Sequence, residues 1–152
     1  MIMAVVTVAD VLKHAEEFEE LLADYYGTLS QRTTREGVRL LTDYMSRHRQ
    51  RLAEALDRFP PEQSSRIRGT HLRYEPQAAD CRCFEGIEVP PDASAAQVLD
   101  AAVNFDECLI NLYRQVLQQP VDEEIRELFE SLVRAEQRDE IELKKIKAMD
   151  YF

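Results

Sequence analysis

The stretch Leu132-Val133-Arg134-Ala135-Glu136-Gln137-Arg138-Asp139-Glu140-Ile141-Glu142-Leu143 decides how the chain is read. Set in a helix over about 125–146, it continues a line through Ile125, Leu128, Leu132, Glu136, Asp139, Leu143 and Ile146, in steps of 3, 4, 4, 3, 4 and 3. Alternating threes and fours trace one face of a helix. Two carboxylates therefore occupy the middle of a stripe that is apolar above and below them. Burying an unpaired carboxylate costs on the order of several kcal/mol, so the pair needs a proton, a cation or a metal. Partners have to come from other segments at the same depth.

The composition favours helices. At 152 residues the chain suits a single domain over 1–152, and its 45% apolar content is enough for a sizeable core. Four Gly and six Pro are a poor supply of breakers for a β-rich protein. A net charge of −10 argues against nucleic acid as a partner. No apolar run approaches the roughly 20 residues a membrane helix needs, so no membrane partner is expected. The opening Met1–His14 stretch has no basic leader and no small-residue cleavage site, and the expected location is the cytoplasm. Three cysteines, Cys81, Cys83 and Cys108, make an odd count without a CxxC pair, which speaks against disulfide scaffolding. Cys108 reads as a small core hydrophobe, and Cys81 and Cys83 as a minor candidate for redox or metal chemistry.

Four long helices follow from periodicity, at about 8–30, 34–59, 95–118 and 121–149. The first carries Val11, Ala15, Phe18, Leu22, Tyr25 and Leu29, with Thr7 as N-cap and Glu19 on the shoulder of the stripe. Thr33-Thr34-Arg35-Glu36 has the pattern of a capping box for the second. Its stripe is Val38, Leu41, Met45, His48, Leu52, Leu56 and Phe59, with a histidine at mid-length. A short connection makes these two an antiparallel hairpin. Residues 60–94 show little periodicity and suit a crossover along the hairpin, with a short extended piece near His71–Tyr74. Ser94 to Gln97 caps the third helix, whose stripe is Val98, Ala101, Phe105, Leu109, Leu112 and Val116, with Asp106 on the shoulder. Arg47, Arg49, Arg51, Lys144 and Lys145 read as solvent-facing charges.

The halves repeat. Phe18-Glu19-Glu20-Leu21-Leu22 lies over Phe105-Asp106-Glu107-Cys108-Leu109, and each shoulder acid is followed seven residues later by a tyrosine, Tyr26 or Tyr113. Met45-x-x-His48 lies over Glu136-x-x-Asp139. Glu19, His48, Asp106, Glu136 and Asp139 all fall near mid-helix, where an antiparallel bundle brings its elements to one level.

Two helices giving one acid each and two giving Glu-x-x-His pairs are the pattern of di-iron carboxylate bundles. With the acid-to-tyrosine spacing, the chain resembles the ferritin-like superfamily over about 8–149, most closely a rubrerythrin-like member lacking the rubredoxin tail. The resemblance implies an all-α, up-down-down-up four-helix bundle with its long crossover between helices two and three. It implies a metal, iron or another divalent ion, held by Glu19, His48, Asp106, Glu136 and Asp139. Tyr26 and Tyr113 would hydrogen-bond the ligands, and oxygen or peroxide would be the oxidant. A homodimer is implied as well. Three positions depart from the pattern: Met45 stands where the family has a bridging Glu, Asp139 where it has the second His, and Asp106 is one methylene shorter than the usual Glu. A thioether is a poor substitute for a carboxylate around a hard ion. Two readings stay open: a degenerate metal site with oxidoreductase chemistry, or a non-catalytic bundle that has lost its metal and works through association. No fifth helix is evident after the fourth, and nothing points to iron storage in a closed shell.

Overall fold

The computed structural model describes residues 6–58, 64–76 and 89–149. It contains α1 (Val8–Arg32), α2 (Glu36–Arg58), the short α3 (Ser64–Arg68), α4 (Ala95–Leu117) and α5 (Glu123–Met149). Two capping boxes start the first helix of each half. Thr7 Oγ1 accepts from the Asp10 amide at 3.2 Å while the Thr7 amide donates to Asp10 Oδ2 at 2.9 Å. Ser94 and Gln97 make the same exchange at α4. At the α1–α2 turn the expected box is not made. Thr33 ends α1, its Oγ1 accepts from the Arg35 amide, and the Glu36 carboxylate instead receives Arg39 Nη1.

The hydrogen bonds that flank the helices fix the topology. The amides of Val8 and Leu72 donate to Thr70 O and Val6 O, and Thr7 bridges His71, so the chain leaving α2 lies beside the start of α1. Gln119 exchanges two hydrogen bonds with the Tyr74 backbone, which puts the α4–α5 turn at that same end. At the opposite end the Thr34 amide donates to Pro91 O at 3.0 Å, joining the α1–α2 turn to the segment that leads into α4. The connection thus runs the length of the first hairpin, α4 runs parallel to α2, and the four long helices are arranged up-down-down-up. The sequence reading missed α3, which buries Ile67 and sends Arg68 Nη2 to Leu56 O. Phe59 and Pro60, Cys81 and Cys83 lie outside the described residues.

The core is built from matched pairs: Phe18 with Phe105, Leu22 with Leu109 and Tyr26 with Tyr113, all fully buried. Phe129 packs beside Tyr113 at a ring-centroid distance of 6.0 Å. At the α1–α2 contact the small residues Ala23 and Gly27 allow close approach, and Ser46 Oγ donates to Ala23 O at 2.7 Å. Cys108, which matches exposed Leu21 in the repeat, is half-buried and disulfide-bonded, against the expectation of a small core hydrophobe. The odd cysteine count was the wrong guide, because a third thiol does not prevent two others from pairing.

Candidate functional site

The buried lines of α2 and α5 differ from the expected stripes by one position. A step of three residues leaves a side chain about 60° short of a full turn, and a step of four carries it about 40° past. Residues four after Met45 and Glu136 therefore sit closer to the face than residues three after them. They are Arg49 and Glu140, and both are buried. His48 and Asp139 sit on the flank, with side chains 29% and 24% exposed. Arg49, expected to face solvent, is 3% exposed. This is the largest correction that the structure makes to the sequence reading. An arginine side chain is apolar along its stem, and its guanidinium needs several acceptors when buried, which Glu19, Asp106 and Glu136 supply at this level.

The guanidinium closes the cluster. Nη1 donates to both oxygens of Glu19, at 3.0 and 3.3 Å, and to Glu136 Oε2 at 3.4 Å. Nη2 donates to Asp106 Oδ1 and lies 3.8 Å from Asp139 Oδ2. Glu19, Asp106 and Glu136 are 1%, 0% and 6% exposed, so the two shoulder acids of the repeat are fully interior. His48 Nε2 faces both oxygens of Asp139, at 3.3 and 3.2 Å, and its ring stacks on Tyr44. All five expected residues thus meet at one level, with Arg49 at the centre.

Burial dominates the electrostatics. It raises the Glu19 carboxyl well above its ordinary range; Arg49 works against this and Glu136 reinforces it. Burial likewise pushes Asp106 up to about 8, opposed by Arg49 and assisted by Glu136 and Asp139. Glu136 shifts upward for the same reason, and a hydrogen bond to Glu19 joins the two carboxyl groups. Desolvation alone would lower the Arg49 pKa, but Glu19, Asp106 and Glu136 outweigh it and fix the guanidinium as a cation. Four carboxylates facing one guanidinium remain short of positive charge. Asp106 shows where: Oδ1 is held by Arg49, while Oδ2 is buried without a hydrogen-bond partner. One oxygen from each of Asp106, Glu136 and Asp139 lies within 4.8 Å of the others, a grouping compact enough for one metal ion.

Tyr26 and Tyr113 lie buried against this cluster. The Tyr26 hydroxyl, however, makes no hydrogen bond to a carboxylate, so the ligand-orienting role expected of it is not seen. For Tyr113, burial and then the Glu136 and Glu19 charges raise its pKa, which puts its ring within their field. Met45 is buried beside Arg49 and His48, lining a cleft of about 120 Å³ between α2 and α5 that also reaches Asp139, Glu142 and Ile146.

No protein-family model matches the sequence, and no curated protein matches it. Among solved structures, the chain is similar to a Thermotoga maritima protein provisionally described as a ferritin-like diiron-carboxylate protein. The identity is 17%, the TM-score is 0.64, and the match covers 97% of this chain and 98% of the other. At that identity the likeness establishes the fold. The chain is an all-α bundle of the ferritin-like type, with a buried acidic cluster at its centre.

A regular, carboxylate-bridged two-iron centre does not fit these residues while Arg49 is in place. Met45 offers no carboxylate, Asp139 offers no imidazole, and the Arg49 guanidinium already engages Glu19 and Asp106. A single ion does fit, because the partnerless Asp106 oxygen and the neighbouring Glu136 and Asp139 oxygens form a hard, anionic donor set.

Proposed function

We propose that the chain is a ferritin-like metal-binding protein that holds one divalent ion, with Asp106, Glu136 and Asp139 as its carboxylate ligands and Arg49 as a permanent second cation. The observation that carries this reading is Asp106: one oxygen is committed to the guanidinium and the other is buried with nothing to meet it. An all-oxygen donor set favours a hard ion such as iron(II), manganese(II) or magnesium over a soft one. The ion would neutralise the excess negative charge, and a redox-active ion would also supply an electron-transfer centre.

The chain's own residues do the rest. His48 fixes the orientation of Asp139 from the α2–α5 cleft. Arg49 holds Glu19 and one side of Asp106, and the packed aromatics exclude water. Met45 and the resident guanidinium count against a rubrerythrin-type peroxidase, which needs a bridging acid between two irons. A second reading, a metal-free bundle acting through association with itself or another protein, draws support from the reach of Arg49 to all four carboxylates.

Elemental analysis separates the two. Protein purified without a metal-affinity column, then loaded anaerobically with iron(II) or with manganese(II), should carry close to one equivalent. A Glu136→Ala variant should carry none. Two equivalents, or none in the wild type, would overturn the one-ion reading, and none would favour the metal-free bundle.

A further inference from the structure

We propose that Arg49 sets the capacity of this centre: its guanidinium occupies one of two cation positions in the doubled carboxylate cluster, and its removal opens that position to a second divalent ion. This deepens the one-ion reading, but it rests on its own geometry. Each terminal nitrogen of Arg49 serves one acid from α1 or α4 and one from α5: Nη1 takes Glu19 and Glu136, and Nη2 takes Asp106 and lies near Asp139. A cation shared by carboxylates from several helices is what a metal provides in a bundle of this type. Here the covalent chain provides it.

The placement is specific. Among the described residues Arg49 is the sole buried arginine or lysine, so no other side chain with a permanent positive charge is positioned to stand in for it. Its stem comes from α2 one turn after Met45, the position where the expected bridging acid is missing. The helix that offers no bridging acid is thus the helix that supplies the cation. An arginine also differs from an ion in being neither exchangeable nor removable by a chelator. A centre holding one guanidinium keeps part of its charge balance when metal is scarce, so the bundle should stay folded in chelator while its remaining site empties.

The test compares the wild type with Arg49→Gln and Arg49→Lys. Each protein is stripped with chelator, checked by circular dichroism, and titrated with manganese(II) by calorimetry. Bound metal is then counted after gel filtration. The expected result is one equivalent for the wild type, two for Arg49→Gln and one for Arg49→Lys, whose ammonium keeps the charge. Arg49→Gln binding the same number of ions as the wild type overturns the proposal. A wild type that binds none beside an Arg49→Gln that binds one or more sinks the one-ion reading and leaves the role of Arg49 standing. No binding by either protein overturns both. If Arg49→Gln is unfolded after stripping, manganese(II) should restore its helical signal, and failure to do so also overturns the proposal.

Discussion

The two hairpins of this molecule share a plan and differ in charge. In α1 and α4 the repeat holds residue by residue, with Phe18, Glu19, Leu22 and Tyr26 buried just as Phe105, Asp106, Leu109 and Tyr113 are. In α2 and α5 the same depths are kept, but the chemistry is not. Met45 corresponds to Glu136, flank His48 to flank Asp139, and buried Arg49 to buried Glu140. The first hairpin brings one acid and one permanent cation to the centre, whereas the second brings three acids, and Glu140 lies just beyond them. Geometry is therefore inherited by both halves from the helical repeat, while the charge balance exists only when the halves meet. Neither hairpin could bury its own polar residues alone: Arg49 would lack three of its four carboxylate partners, and Asp106 and Glu136 would lack their cation.

Breaking that balance should give the largest effect. Arg49→Ala leaves four clustered carboxylates uncompensated and should destabilise the chelator-treated protein by about 3–5 kcal/mol, the usual range for breaking a buried ion pair. Thermal unfolding should show a drop of roughly 10 °C or more for a chain of this size. Glu140→Ala, the matching truncation in the other hairpin, should be far milder. A small loss for Arg49→Ala would mean that the two halves are held together by packing alone.

The excess acid of the second hairpin should appear as pH dependence. Asp106 is raised by burial from 3.8 to about 8, so the native state binds a proton that the unfolded chain releases across that window. Stability of the metal-free protein is then greatest at the acid end and declines as pH rises through about 8. Glu140, raised to about 7 by burial and by its hydrogen bond to Glu107, adds to the same trend. Urea unfolding between pH 5 and pH 9 should show the decline, and Asp106→Asn should flatten much of it. A stability that rises over that range would contradict the assignment.

Smaller effects sharpen the comparison. Ser46→Ala removes a buried hydroxyl bond to Ala23 O that has no counterpart at Gln137, and should lose about 1 kcal/mol. Thr7→Ala and Ser94→Ala remove equivalent capping boxes, one from each half, and should each lose about 1 kcal/mol in denaturant titrations. Unequal losses there would show that the halves differ in more than their charge. Peptide mapping under non-reducing conditions should also find Cys108 in a disulfide-linked peptide.

Much of the fold was legible because it rests on local, repeated signals. The spacing of Ile125, Leu128, Leu132 and Leu143 sets a buried face, Thr7 and Ser94 mark helix starts, and the overlay of Phe18 to Tyr26 on Phe105 to Tyr113 announces two similar hairpins. The site was legible in its acids, since Glu19, Asp106, Glu136 and Asp139 stand at mid-helix within those patterns. Arg49 was not. An arginine in a run of Arg47, Arg49 and Arg51 reads as a solvated face, and its position four after Met45 was the one available sign. The capping pattern at Thr33 misled for a similar reason, because Arg39 competes for the Glu36 carboxylate.

The sequence by itself determined the helices, their pairing into two hairpins and the depth at which polar residues lie, because each depends on periodicity along one segment. The tertiary structure decided which charges meet. Whether Arg49 points outward or inward depends on acceptors supplied by α1, α4 and α5, up to 87 residues away in the chain. A buried charge is stable only where partners from several elements converge, and that convergence is a property of the packed bundle.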